Sequence, residues 1–238
     1  MKKTSKIILK IFLSLFIIFL LIIGYIFGDG YSMYKSATKE ISIKEKFKTI
    51  QSQENFQKID DVPDIFIDAI ISVEDKRFYS HKGIDFLSIG RAVVTNLKTF
   101  DFTEGGSTIT QQIAKNEYFT QTKKFNRKVA EVFVAKDIEK IFSKDEILEI
   151  YINTNFYGSG YYGIYDAAMG YYEKSPKDLN DYEATLLAGV PNAPSVYSPK
   201  VNLNLAERRQ DVVLNKMVAA GYLNKDEMKK IQDNQITK

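Results

Sequence analysis

The stretch DDVPDIFIDAIISVEDKRFYSHKGID, residues 60–85, places an apolar helical segment directly before a dense set of charged and aromatic side chains. Aspartates and Pro63 suit the start of a helix. Its apolar face is formed by Ile65, Phe66, Ala69, Ile70 and Val73. We predict that this helix ends near Glu74. Burial at the end of an apolar helix can raise a carboxyl pKa towards neutrality, so Glu74 and Asp75 are candidates for a general acid or base.

The same residues also allow a less specific interpretation. Glu74 could form a surface ion pair with Lys76 or Arg77, which is the commoner role of an isolated Glu-Asp pair. His81 is the only histidine of the chain, and we expect it to be a structural hydrogen-bonding residue. The neighbouring motifs must decide between a catalytic and a surface Glu74.

The composition excludes several classes of site. The chain has 238 residues, of which 45% are hydrophobic, so it can form one core of ordinary size. A net charge of +3 is too small to indicate a nucleic-acid partner, and we expect none. The absence of cysteine excludes disulfides and thiolate nucleophiles, and one histidine excludes a histidine-rich metal site. Any metal would need oxygen ligands.

The N-terminus predicts a membrane anchor. Residues 1–6 form a basic flank, and residues 7–27 are apolar apart from Lys10, Ser14, Gly24 and Tyr25. About 20 apolar residues span a bilayer as a helix, and a basic flank favours a cytoplasmic N-terminus. A cleavable signal peptide is the alternative, but no small-residue cleavage pattern follows. We therefore expect a single-pass protein of the cell membrane, with a polar stalk or loosely packed lead-in over 28–58 and an extracytoplasmic domain over 59–238.

The remaining chain predicts a mainly α-helical domain without a convincing strand pair. Asp85 opens one helix, and two further helices begin with the capping boxes Thr108/Gln111 and Ser143/Glu146. Apolar residues at helical spacing predict a helix between these two boxes, within residues 124–142. Later helices are predicted over residues 163–172, 180–188 and 205–220, with Gly221 ending the last.

Two further motifs could bind an anion. In EGGSTITQQIAKN (104–116), a Gly-Gly turn precedes a helix start whose backbone N–H groups and hydroxyls can face an anion. In KKFNRKVAE (123–131), Arg127 and Glu131 are spaced i, i+4 among lysines. The alternatives are a capped surface helix and a solvated helix face. Together with Lys115, the second motif also has the composition of a diphosphate site.

These motifs resemble, in order and spacing, the five conserved blocks of the bacterial peptidoglycan glycosyltransferase family. The blocks are EDKRFYSHKGID, GGSTITQQIAKN, RKVAEVFVAKDIEK, EILEIYINTNFYGSGYYGIYDAAMGYY and EATLLAGVPNAPSVYSP. The resemblance covers residues 63–199 and is closest to monofunctional, membrane-bound members. It implies a lysozyme-like helical fold with a membrane-associated lobe, here residues 84–102. It also implies polymerisation of lipid II into β-1,4-linked glycan strands, with inversion and release of undecaprenyl diphosphate.

The resemblance assigns roles to single residues. Glu74 matches the essential base of the family, and Glu131 matches its second catalytic glutamate, which would organise the cations or a divalent metal such as Mg²⁺ or Mn²⁺. The diphosphate would be bound by Ser107, Gln111, Gln112, Lys115, Lys123, Arg127 and Lys128. Some members have an arginine where this chain has Lys123 and Lys124, so the composition of the diphosphate clamp stays open here.

The implied partners are lipid II, the growing glycan strand, membrane lipid, and proteins of cell-wall synthesis or division. Two other functions fit parts of the sequence. A membrane-anchored, lysozyme-like murein hydrolase would also use a glutamate, but it would not need Lys115 and Arg127. A non-enzymatic cell-wall scaffold would not need Glu74, Lys115 and Glu131 together.

Overall fold

The computed structural model describes residues 2–99, 105–119 and 125–236, and side chains from Lys6 onwards. Within these ranges the protein is mainly α-helical, as predicted, and its only β-type pairing is an isolated bridge between Phe156 and Tyr162. The helices are α1 (Lys2–Glu40), α2 (Ile43–Gln51), α3 (Asp64–Glu74), α4 (Phe86–Thr99), α5 (Ile109–Tyr118), α6 (Phe125–Ile141), α7 (Lys144–Thr154), α8 (Gly163–Tyr172), α9 (Asp181–Gly189), α10 (Pro194–Tyr197), α11 (Pro199–Ala220) and α12 (Lys225–Asp233).

Side-chain caps determine where several helices begin. Thr108 and Gln111 form a reciprocal capping box at α5, and Ser143 and Glu146 form another at α7. Both boxes satisfy backbone N–H groups that have no partner within the helix. At the other end of α11, Gly221 has a φ of 85°, which favours glycine and ends the helix. These starts and stops were predicted from the sequence and are confirmed.

Helix α3 lies at the centre of the core. It packs against α9 and α11, while α5 packs against α6 and α7. Phe66 and Ile70 of α3 are fully buried, and so are Tyr151 of α7 and Leu187 of α9. The helix ends at Glu74, as predicted, and the following Asp75 N–H still donates to the Ile71 carbonyl at 3.1 Å. The end of a buried helix thus fixes the backbone of Glu74.

Helix α1 is long and apolar enough to cross a membrane, and its most apolar part makes no buried contacts within the protein. The predicted anchor, residues 7–27, lies inside this helix. The expectation of a loosely packed segment over 28–58 is wrong. Residues 28–40 continue α1 against α6, and Ile43, Phe47 and Ile50 of α2 are buried in the core. The i, i+4, i+7 spacing of Ile43, Phe47 and Ile50 behind the Ser42/Glu45 capping box was the available signal, and sequence reasoning missed it.

Helix α4 carries an exposed apolar surface. Phe86, Leu87, Val93, Val94 and Leu97 are all largely exposed, whereas Ala92 is buried. The expected membrane-associated lobe, residues 84–102, contains this helix, and its last residues lie outside the described ranges. An apolar helix surface of this kind suits the interface of a bilayer.

The burial of α2 leads to a test of stability. Phe47 is fully buried, and its ring stacks on Phe142 with 4.3 Å between the centroids. We expect Phe47→Ala to lower the free energy of unfolding by about 3 kcal/mol, because it removes a large core side chain and leaves a cavity. Denaturant unfolding followed by circular dichroism measures this. The exposed neighbour Lys48 is the control, and a Phe47→Ala protein as stable as Lys48→Ala would contradict the assignment of α2 to the core.

Candidate active site

A cleft with a volume of about 530 Å³ lies where α3, α5, α6 and α11 converge. Its lining brings together residues that are far apart in the sequence. They include Glu74, Ser107, Gln112, Lys115, Lys128, Glu131, Arg209 and Lys216. The cleft therefore contains a carboxylate from the end of α3 together with cations from α5, α6 and α11.

Glu74 is oriented by an amide side chain. Gln112 Nε2 donates to Glu74 Oε2 at 2.7 Å, and the Tyr151 hydroxyl lies 3.5 Å from Gln112 Oε1. Burial and the charge of Glu74 raise the pKa of Tyr151, so this hydroxyl stays protonated and available as a donor. Glu74 Oε1 has no hydrogen-bond partner among the residues that the structure describes. The carboxylate is thus held at one oxygen and available at the other.

Asp75 ties the end of α3 to the start of α5. Its carboxylate accepts the Ile109 N–H at 3.0 Å, and both of its oxygens lie within 3.0 Å of His81 Nε2. Asp75 and His81 are both buried. The structural role expected for His81 is therefore confirmed, and the tie holds Gln112, one turn into α5, beside Glu74.

The surface ion pair considered for Glu74 does not form. Arg77 instead binds Asp85 through two hydrogen bonds, and Lys76 Nζ donates to the Ala219 carbonyl at 3.0 Å. Asp85 also accepts the Ser88 N–H at the start of α4. Glu74 therefore forms no ion pair with Lys76 or Arg77, and it lines the cleft.

The second glutamate lies among cations. Glu131 is only 1% exposed, and its two oxygens lie 2.9 Å from Arg127 Nε and 3.0 Å from Lys128 Nζ. Lys128 Nζ also donates to Ser107 Oγ at 2.8 Å. A buried carboxylate needs such partners, because an unpaired charge in this position is strongly destabilising. Glu131 therefore holds Arg127 and Lys128 together and connects α6 to the segment before α5.

Lys115 is the cation between the two glutamates. It is partly buried, and its Nζ makes no hydrogen bond or ion pair with another residue in the described part of the chain. Burial lowers the pKa of Lys115, and the charges of Lys128 and Arg127 lower it further, whereas Glu131 and Glu74 raise it. A bound anion would offset both the burial and the repulsion between cations.

Most, but not all, of the predicted site residues line the cleft. The cleft brings together Glu74, Ser107, Gln112, Lys115, Lys128 and Glu131. Arg127 contacts the cleft residue Glu131. Gln111 borders the cleft, but its side-chain oxygen accepts the Thr108 N–H at 3.1 Å, so it serves as a helix cap. Lys123 and Lys124 lie outside the described residues.

Sequence reasoning missed the cations of α11. Arg209 and Lys216 line the cleft. Burial lowers the pKa of Arg209, while the charge of Glu74 raises it. Lys216 Nζ donates to the Val73 carbonyl at 3.2 Å, beside Glu74. The i, i+7 spacing of Arg209 and Lys216 places both on one helix face and was the available signal.

The described residues contain no group of three or more histidine and carboxylate side chains that could hold a metal ion. The two oxygens of Glu131 lie 2.9 Å from Arg127 Nε and 3.0 Å from Lys128 Nζ. Within the described part of the chain, Glu131 therefore organises cationic side chains.

The described part of the chain thus combines a helical fold, a cleft in which one carboxylate lies among several cations, and a helix that could span a membrane. A family model described as Transglycosylase matches residues 42–218. The chain belongs to this transglycosylase family.

The chain is also similar to parts of several penicillin-binding proteins. The chain is 38% identical over 236 residues to penicillin-binding protein 1F of Bacillus subtilis (strain 168), covering 94% of the chain and 33% of the relative. It is 45% identical over 173 residues to penicillin-binding protein 1A of Neisseria flavescens, covering 73% of the chain and 22% of the relative. The crystal structure of penicillin-binding protein 1A from Haemophilus influenzae matches 76% of the chain and 18% of that protein, at 25% identity and a TM-score of 0.45. The chain thus spans a third or less of these relatives.

The Arg77–Asp85 pair predicts a pH dependence of stability. Hydrogen bonds from Arg77 hold the pKa of Asp85 well below its usual range, and Ser88 adds to this. A carboxyl whose pKa is lower in the folded state stabilises the fold above its unfolded pKa of about 3.9, and this stabilisation is lost as the pH falls below that value. We expect Asp85→Asn to cost about 2 kcal/mol at pH 7 and progressively less below about pH 4.

Denaturant unfolding of the full chain in detergent at several pH values measures this difference. Asp60→Asn is the matched control, because Asp60 is exposed. A penalty for Asp85→Asn that stays constant down to about pH 2 would contradict the ionised Arg77–Asp85 pair.

Proposed function

We propose that this protein is a peptidoglycan glycosyltransferase that polymerises lipid II into β-1,4-linked glycan strands and releases undecaprenyl diphosphate. The observation that carries the proposal is the cleft in which Glu74 faces Lys115, Lys128 and Glu131, in a chain of the transglycosylase family. A base on one side and cations on the other are the two requirements of glycosyl transfer from a diphosphate donor.

Glu74 is the proposed general base. Its free oxygen accepts the proton of the 4-hydroxyl of the acceptor sugar, while Gln112 holds the other oxygen. The acceptor oxygen then forms a bond to the anomeric carbon of the donor. The bond from that carbon to the diphosphate oxygen breaks, and its electron pair leaves with the diphosphate. Attack from the opposite face converts an α-linkage into a β-linkage.

The cations replace a general acid. A diphosphate leaves as an anion, so it needs positive charge and no proton. Lys115 has no other ion-pair partner among the described residues, and Lys128 lies between Glu131 and Ser107. Glu131 keeps Arg127 and Lys128 in place, although their mutual repulsion opposes this arrangement. The cations Lys115, Arg127 and Lys128 would therefore stabilise the negative charge that develops on the leaving diphosphate.

Two apolar features support a membrane location. Helix α1 could span the bilayer, and α4 exposes Phe86, Leu87 and Val93 near the cleft residues Ser88 and Arg91. We propose a single-pass membrane protein with a cytoplasmic N-terminus, an extracytoplasmic catalytic domain and α4 at the lipid surface. Cell-wall synthesis or division proteins are its proposed protein partners.

The full chain in detergent can be incubated with lipid II and, separately, with finished glycan strands. Polymer from lipid II is the expected result. Fragmentation of finished strands would instead indicate a murein hydrolase, and no reaction with either would leave a scaffold role.

The two glutamates should respond differently to the same change. We expect Glu74→Gln to reduce turnover by about a thousandfold, because an amide cannot accept the proton. Binding of lipid II, or of the phosphoglycolipid moenomycin that the family resemblance places at the donor site, should largely survive. Glu131→Gln should weaken both turnover and binding, because it releases Arg127 and Lys128. Turnover, inhibitor affinity and a thermal melt measure this, and normal turnover by folded Glu74→Gln would eliminate the proposed base.

Lys115 should act on the leaving group. We expect Lys115→Ala to lower the polymerisation rate by about a hundredfold, since a cation that meets developing charge in a shielded cleft is worth that much. Lys136→Ala is the control, because Lys136 is an exposed lysine on α6. Equal rates for the two variants would contradict the diphosphate assignment.

A further inference from the structure

Helices α1 and α6 make the most extensive contact between two elements in the described part of the chain. The two helices approach closely at Gly30, because a Cβ atom there would lie 2.6 Å from both the Asn126 carbonyl oxygen and Val129 Cβ. Asn126 Nδ2 also donates to Asp29 Oδ2 at 2.6 Å. The first turn of α6 is therefore locked against the residues that follow the apolar part of α1.

The contact continues along both helices in the same direction. Tyr31 and Tyr34 pack on the ring of Phe133, at centroid distances of 5.3 and 5.5 Å. Tyr34 also donates a hydrogen bond to Asp137, one turn beyond Phe133. Later residues of α1 thus meet later residues of α6, so the two helices run parallel. A close glycine contact, ring packing and hydrogen bonds at successive positions together fix the register of this contact.

The register places the cation cluster near the membrane end of the domain. The apolar segment of α1 ends at Phe27, three residues before Gly30, which corresponds to about 5 Å along a helix. Gly30 contacts Asn126 and Val129, and Arg127 and Lys128 lie between these two positions. Phe125, the first residue of α6, is 83% exposed. An exposed phenylalanine at this level suits contact with lipid headgroups and acyl chains.

We propose that the α1–α6 contact positions Arg127 and Lys128 at the height of the lipid headgroups, so that they meet the diphosphate of a membrane-embedded substrate. Gly30 is then a positioning residue. This inference rests on the proposed function for its substrate, but the height of α6 above the bilayer is a separate, measurable property. A flexible stalk would supply only a local concentration, whereas a continuous helix supplies a fixed distance.

Substitution at Gly30 tests the contact. Gly30→Leu forces a side chain into Asn126 and Val129, whereas a Cβ atom added at Gly28 on the same helix meets no atom within 4 Å, so Gly28→Leu is the control. We expect Gly30→Leu to lower polymerisation of vesicle-embedded lipid II by about a hundredfold, the loss that a small misplacement of reacting groups can cause. In detergent, where substrate can approach from any height, its rate should stay close to that of Gly28→Leu.

An insertion tests the distance itself. Seven polar, helix-forming residues between Gly28 and Asp29 would lift the domain by about 10 Å and rotate it by only about 20°. We expect activity in detergent and its loss in vesicles. Because the chain has no cysteine, Phe125→Cys can carry a single fluorophore, and quenching by lipid-attached nitroxides reports its depth. The label should lie at the level of the lipid headgroups in the otherwise unchanged chain. After the insertion it should lie outside the headgroup region.

The outcomes separate the two proposals. Equal vesicle activity with and without the insertion would overturn the positioning role, as would loss in both vesicles and detergent, or a Phe125 label outside the headgroup region. An otherwise unchanged chain that makes no polymer in either format would contradict the proposed function. In that case the depth of the label at position 125 would still test the height of α6 above the bilayer.

Discussion

The buried carboxylate of Asp75 connects the parts of the site. It accepts the first N–H of α5 through Ile109 and also holds His81, so the end of α3 and the start of α5 cannot separate. Glu74 precedes Asp75 in the chain, and Gln112 lies one turn into α5. A carboxylate at a helix start is favourable, because it satisfies a free N–H and interacts with the positive end of the helix dipole. This one tie therefore places the proposed base, its orienting amide and Lys115 in one cleft.

The electrostatics of the cleft are organised for an anion. Arg127 and Lys128 are neutralised in part by the buried Glu131, while burial and the neighbouring cations disfavour the charged form of Lys115. Arg209 and Lys216 add positive charge from α11. Cations held this close repel one another, and binding of a diphosphate relieves that repulsion. This arrangement suits the proposed reaction, because preorganised positive charge would stabilise the diphosphate that leaves during glycosyl transfer.

Helix α1 is continuous from its apolar segment into the helical domain and packs against it. Helix α1 runs from the apolar segment into a packed contact with α6, which carries Arg127, Lys128 and Glu131. The exposed apolar residues of α4 add a second surface suited to lipid. The proposed substrate is lipid-linked and confined to the membrane plane, so in this proposal the height of the cations decides whether they can reach its diphosphate. The glycine at position 30 is explained by this close helix contact and by nothing in the cleft itself.

The amino-acid sequence by itself determined the features that depend on local periodicity and short motifs. It predicted the apolar anchor, the helical class, the capping boxes of α5 and α7, the end of α3 at Glu74, and a set of candidate residues most of which line one cleft. Only the tertiary structure decided which side chains meet across the chain. It brought Arg209 and Lys216 into the cleft with Glu74, and it buried Phe47 of a segment that reads as polar. The physical reason is that burial and ion pairing are set by packing partners distant in sequence, which a local pattern does not contain.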